Sequence, residues 1–186
     1  ANPGDGLCAT TGGTCTLRAA VMETNAVTGA DTIILPSGVY TLTIGGSGED
    51  MATLGDLDIA DDLTISGVEA TRTIIDGNGD VINDRVLHIV ASDVKASIRG
   101  VTIRNGGSAS YASGGISGGS GDLILSDTVV TDNTGSGIQD ASNLTVTRSI
   151  VSNNTDHGIR GASSLVVSDS DICNNGGSGI GYGSSV

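Results

Sequence analysis

An all-β, single-stranded parallel β-helix of about 21 residues per coil is the fold that this sequence predicts, and three observations predict it. The first is a repeat. Leu123, Leu144, Leu165 and Val186 stand 21 apart, as do Leu125, Val146 and Val167, then Val130, Val151 and Ile172, then Asn133, Asn154 and Asn175. Ile138, Ile159 and Ile180 keep the same period, with Ile116 one residue out of step. A fixed period of this length is the signature of stacked repeats, each unable to bury its inner face alone. The second is alternation within a repeat. In Leu144-Thr145-Val146 the apolar pair falls on one side of a strand and Thr on the other. The third is composition: of 186 residues 30 are Gly, aromatics make up 2%, and Phe and Trp are absent. A core without large rings is built from thin aliphatic layers, and abundant Thr, Ser, Asn, Gly and Val favour strands and corners over helices.

The elements follow in chain order. Residues 1–30 are expected to form an N-terminal cap. Cys8 and Cys15 bracket a flexible Gly/Thr-rich spacer long enough to close a small disulfide loop, the alternative being two free thiols. A metal site there would need further Cys or His nearby, and His88 and His157 are distant in sequence. A disulfide points to an oxidising compartment. The chain opens on Ala-Asn-Pro-Gly without Met, as a mature secreted protein or an excised fragment does. From Thr16 to Ala26, Leu17, Ala20, Val21 and Thr24 recur at helical spacing with Thr16 as N-cap, giving a short helix to shield the first coil. Residues 31–186 are the β-helix. Asp31 to Thr43 reads as strand, Pro36-Ser37-Gly38 turn and strand. Leu57/Ile59, Leu63/Ile65 and Ile74/Ile75 make one coil, and Leu87/Ile89, Ala96/Ile98 and Val101/Ile103 the next. The segment from Arg104 to Gly115 is an enlarged corner bulging around Tyr111, and regular 21-residue coils run from about 114 to 186. The Asn133, Asn154, Asn175 column reads as a structural ladder, each amide satisfying backbone groups of neighbouring coils.

The first hundred residues carry a resemblance. Asp5-Gly6-Leu7-Cys8, then Cys15-Thr16-Leu17-Arg18-Ala19-Ala20, then Gly55-Asp56-Leu57-Asp58-Ile59, then Thr73-Ile74-Ile75-Asp76-Gly77 together resemble bacterial secreted or surface proteins with a CSLREA motif and right-handed parallel β-helix repeats. The match spans Asp5 to about Asn105. Thr16 stands in place of Ser and Ala19 in place of Glu, so half of a capping box is lost. The resemblance implies a right-handed coil and a secreted or cell-surface location, and it supplies no catalytic activity.

Charge and motifs narrow the function. A formal net charge of -13 excludes ordinary phosphate-neutralising nucleic-acid binding, and no run of eighteen apolar residues suggests a membrane span. Asp56, Asp58, Asp61 and Asp62 are the densest acids. With Leu57 and Ile59 facing inward, Asp56 and Asp58 point outward, either as oxygen ligands for calcium or as a solvated acidic face. No other cofactor is implied. A hydrolase needs two carboxylates across a groove, and Asp76, Asp80, Asp127, Asp132, Asp169 and Asp171 are not singled out by pattern. His88 alternates outward between Leu87 and Ile89, and no Ser-His-Asp arrangement is legible. The expected function is a non-catalytic structural or adhesive surface module with a cell-surface or polysaccharide ligand. The alternative is a carbohydrate-active enzyme, a polysaccharide lyase or hydrolase on a pectate-lyase-like β-helix. Val186 restarts an inward column in a coil with no cap, so self-association is expected there, as end-to-end docking into a filament unless further coils follow. Outward Cys173 is either a point of intermolecular contact or an unpaired thiol.

Overall fold

Thr16 lies extended and accepts a hydrogen bond from Ala19 N on its Oγ1 at 3.2 Å, which caps helix α1 (Leu17–Ala26) as its sequence position requires. In the computed structural model, which describes residues 2–9, 12–107 and 113–181, α1 is followed by three strands per coil. The first coil holds β1 (Asp31–Leu35), β2 (Gly38–Thr41) and β3 (Leu57–Ile59). The second holds β4 (Leu63–Gly67), β5 (Thr73–Asp76), the single turn α2 (Gly79–Ile82) and β6 (Leu87–Ile89). Then come β7 (Lys95–Arg99), β8 (Thr102–Arg104) and β9 (Ser113–Ser117), and β10 (Asp122–Ser126), β11 (Val129–Thr131) and β12 (Ser136–Gln139). The last coils are β13 (Asn143–Thr147), β14 (Ile150–Ser152) and β15 (Ile159–Arg160), and β16 (Ser164–Ser168), β17 (Asp171–Cys173) and β18 (Ile180–Gly181).

Every third strand pairs in parallel, giving three six-stranded sheets in the orders β1-β4-β7-β10-β13-β16, β2-β5-β8-β11-β14-β17 and β3-β6-β9-β12-β15-β18. This is the predicted parallel β-helix. From β10 onward the partners are 21 apart, as in Leu123 with Leu144 and Leu165. Earlier coils are longer: Leu63 pairs with Ala96, and Ala96 with Leu123. A register shift between β9 and β12 sets Ile116 against Ile138 and accounts for its being one residue out of step. Tyr111 and Val186 lie outside the described residues.

Stacking makes the core. Ile65, Ile98, Leu125 and Val146 form one column at 1% exposure or less, and Ile75, Ile103, Val130 and Val151 another at 0%. Tyr40 continues the second column above Ile75, half-buried, with its hydroxyl donating to Pro36 O. The asparagine ladder runs beside these columns. Asn133 Nδ2 donates to Asn154 Oδ1 at 2.9 Å, and Asn154 Nδ2 to Asn175 Oδ1 at 3.0 Å. The same oxygens accept the main-chain N–H of Asn133 and Asn154. Gly137 leaves the space this needs: a Cβ there would lie 2.6 Å from Asn154 Nδ2.

The cap is tied down by polar contacts. Cys8 and Cys15 form a disulfide. Glu23 on α1 accepts from Gly4 N and Gly6 N at 2.8 and 2.6 Å, which folds the N-terminal segment onto the helix. Arg18, which the helical pattern places among no apolar positions, is nevertheless buried. Its guanidinium donates to the carbonyls of Ala52, Leu54, Gly55 and Asp56, so one side chain gathers the end of the long loop between β2 and β3. Burial pushes the Arg18 pKa down, and the charge of Asp56 opposes this. Among the described residues no helix is long and apolar enough to cross a membrane.

Candidate functional site

Titratable groups converge where this loop lies over the outer side of β3 and β6. Strand parity turns Asp56 and Asp58 away from the core, as the sequence indicates, but neither is solvated. They are 1% and 0% exposed, which overturns the expectation of an open acidic face. The cause is the loop between β2 and β3, which Arg18 of α1 holds over this side of the first coil. Ala52 N donates to Asp58 Oδ2 at 2.8 Å, and Arg85 Nε meets Asp56 Oδ2 at 2.6 Å. Burial and the neighbouring Asp58 charge push the Asp56 carboxyl up to about 8, against the hydrogen bond from Arg85. Asp56 Oδ1 is buried and without a partner. Asp84, 1% exposed, is likewise raised by burial despite the Arg85 N–H and charge beside it.

The four expected calcium ligands do not come together. Asp61 Oδ2 accepts from Gly29 N and its Oδ1 from Asp62 N, while Asp62 Oδ1 accepts from Lys95 N at 2.8 Å. Asp61 and Asp62 close turns between cap and coils. The group that does converge is Asp50, Asp58 and His88, whose ligand atoms lie within 4.8 Å of one another. His88 Nδ1 is 3.1 Å from Asp58 Oδ1 and 3.6 Å from Asp50 Oδ1. In the sequence, His88 is only an outward residue between Leu87 and Ile89. The missed signal is the match of Leu57-Asp58-Ile59 with Leu87-His88-Ile89, which fixes the register and sets Asp58 beside His88. The next residue in this outward row is Ser117. Asp58, His88 and Ser117 therefore stack, but no hydrogen bond joins His88 to Ser117 among those described, so the row is not an assembled acyl-transfer relay.

A second feature is a polar hollow of about 660 Å³ on the outer surface near α2, lined by Asp76, Asp80, Asn105 and Asp132 among others. Asp76 is engaged by Arg104 Nε at 2.9 Å and by Asn105 Nδ2 at 3.1 and 3.0 Å. Asp80 and Asp132 are exposed. The other acids named from sequence have separate roles. Asp127 forms a bidentate pair with Arg148 one coil later, at 2.8 and 2.7 Å, and this hydrogen bonding holds the Asp127 carboxyl below its usual range. Cys173 is exposed and unpaired, in the outward row after Thr131 and Ser152.

Comparison with protein-family models, curated proteins and solved structures gave no match for this chain.

Proposed function

We propose that the chain is a non-catalytic, secreted or cell-surface structural and adhesive module, a stiff acidic shaft that stacks end to end with further β-helical coils or copies of itself. The observation that carries this reading is the regular stack itself: the three strands of each coil pair in parallel with their copies one coil on, so the edge of one coil is the template for the next. The Cys8–Cys15 disulfide and the CSLREA-like segment support an extracellular setting. Sedimentation over a wide concentration range tests the assembly, with and without a polar capping coil fused after the last residue. Concentration-dependent association that the cap abolishes is expected, and a strictly monomeric uncapped chain overturns it.

The hollow with Asp76, Asp80 and Asp132 favours one second reading, a carbohydrate-active lyase or hydrolase. Release of products from acidic polysaccharides, lost on Asp80→Asn or Asp132→Asn, would establish it in place of the first.

A further inference from the structure

We infer that Asp50, Asp58 and His88 are the protein ligands of a divalent transition-metal ion of the zinc class, which pins the long loop between β2 and β3 to the outside of the shaft. The inference is independent of the assembly reading above.

Distances come first. Nitrogen and oxygen ligands about 2.0–2.2 Å from a tetrahedral or octahedral ion stand about 2.9–3.5 Å from each other. His88 Nδ1 stands 3.1 Å from Asp58 Oδ1 and 3.6 Å from Asp50 Oδ1, and the three ligand atoms lie within 4.8 Å of one another, so an ion among them would draw the exposed Asp50 carboxylate inward.

The donor set then selects the metal. One imidazole nitrogen with two carboxylate oxygens suits zinc, manganese or cobalt, whereas calcium takes about six to eight oxygens and gains little from imidazole.

The scaffold fits as well. Asp58 and His88 are paired residues on adjacent strands, so their spacing is fixed by the sheet. Asp58 Oδ2 is held by Ala52 N, an outer contact of the kind that orients a metal-binding carboxylate and leaves Oδ1 facing His88. The Asp50 side chain is 70% exposed and that of His88 16%, so solvent can complete the coordination sphere.

The test uses the full chain stripped with chelator, titrated with ZnCl₂ by calorimetry and with CoCl₂ by visible absorption. One zinc per chain is expected, with cobalt ligand-field bands and at least about tenfold weaker binding of CaCl₂. Asp50→Asn, at an exposed side chain, is expected to weaken zinc by about 10–100-fold while the metal-free melting temperature stays unchanged. His88→Gln is expected to abolish the cobalt bands; if it fails to fold, Asp50→Asn decides alone. Absence of stoichiometric zinc binding, wild-type affinity in Asp50→Asn, or tighter binding of calcium than of zinc would each overturn the assignment.

Discussion

Truncating Asn154 to Ala removes the middle rung of the ladder, and the cost follows from its contacts. Oδ1 accepts from Asn133 N at 3.2 Å and from Asn133 Nδ2 at 2.9 Å; Nδ2 donates to Asn175 Oδ1 at 3.0 Å and to Val130 O at 3.3 Å. Asn154 is 1% exposed, so water does not replace what is lost. Asn175 Oδ1 keeps the Asn154 main-chain N–H, but the main-chain N–H of Asn133 and one of its amide hydrogens are orphaned. At about 1–3 kcal/mol for each buried group left without a partner, Asn154→Ala costs about 4 kcal/mol. For a chain of this size that lowers the melting temperature by about 8–16 °C. Asn175→Ala breaks the same kind of contact in a half-buried setting, where water repairs it, and is expected to cost about 1–2 kcal/mol. Asn154→Asp keeps the shape but turns an acceptor toward Asn175 Oδ1 and Val130 O, and is expected to be at least as damaging as Ala at neutral pH. Urea unfolding followed by far-ultraviolet circular dichroism measures all three. A loss below about 0.5 kcal/mol for Asn154→Ala, the size of a typical surface change, would refute the ladder as a stabilising element.

Three further outcomes are expected. Val151→Asp, at 0% exposure, places a carboxylate in an aliphatic column and costs several kcal/mol, against about 1 kcal/mol for Ser152→Asp, which is outward but only 8% exposed beside Thr131; equal losses in urea unfolding would mean the inward and outward rows are exchanged. Reducing Cys8–Cys15 adds two hydrogens to the intact mass and removes about 2–3 kcal/mol of loop-closure stabilisation, read as faster proteolysis of the cap. Burial pushes Glu49 up, but hydrogen bonds from Leu54 N, Thr53 Oγ1, Met51 N and Thr53 N outweigh it and set its pKa below the ordinary value. The folded pKa being depressed, its contribution is present above the unfolded value and is lost as pH falls through the folded one. Hydrogen exchange at Met51, Thr53 and Leu54, corrected for the intrinsic rate, is expected to gain protection between about pH 3 and pH 5, and Glu49→Gln to flatten that change.

The coils were legible because burial repeats. Leu144, Val146 and Val151 are inward at every copy, and a period of 21 with internal alternation admits few other folds. The cap helix was legible from Thr16 and the spacing of Leu17 and Val21. The site was not, for two physical reasons. Asp56 and Asp58 do face away from the core, but exposure depends on what lies over them, and the covering loop at Ala52 has no periodicity to announce it. Arg18 on a helix reads as solvated, and only the four carbonyls it meets make its burial tolerable. Asp58 and His88 are joined through a coil offset of 30 residues, longer than the later repeat, so the regular columns gave no guide to that pairing.

The asparagine row also has a direction. Each amide donates to the amide one coil further along and accepts from the one before, so their dipoles lie head to tail and polarise one another. The molecule is thus a vector rather than a symmetric rod. Two shafts meeting tail to tail would bring like amide ends face to face. A shaft extended in the sense of its own strands continues the alternation of donor and acceptor without a break.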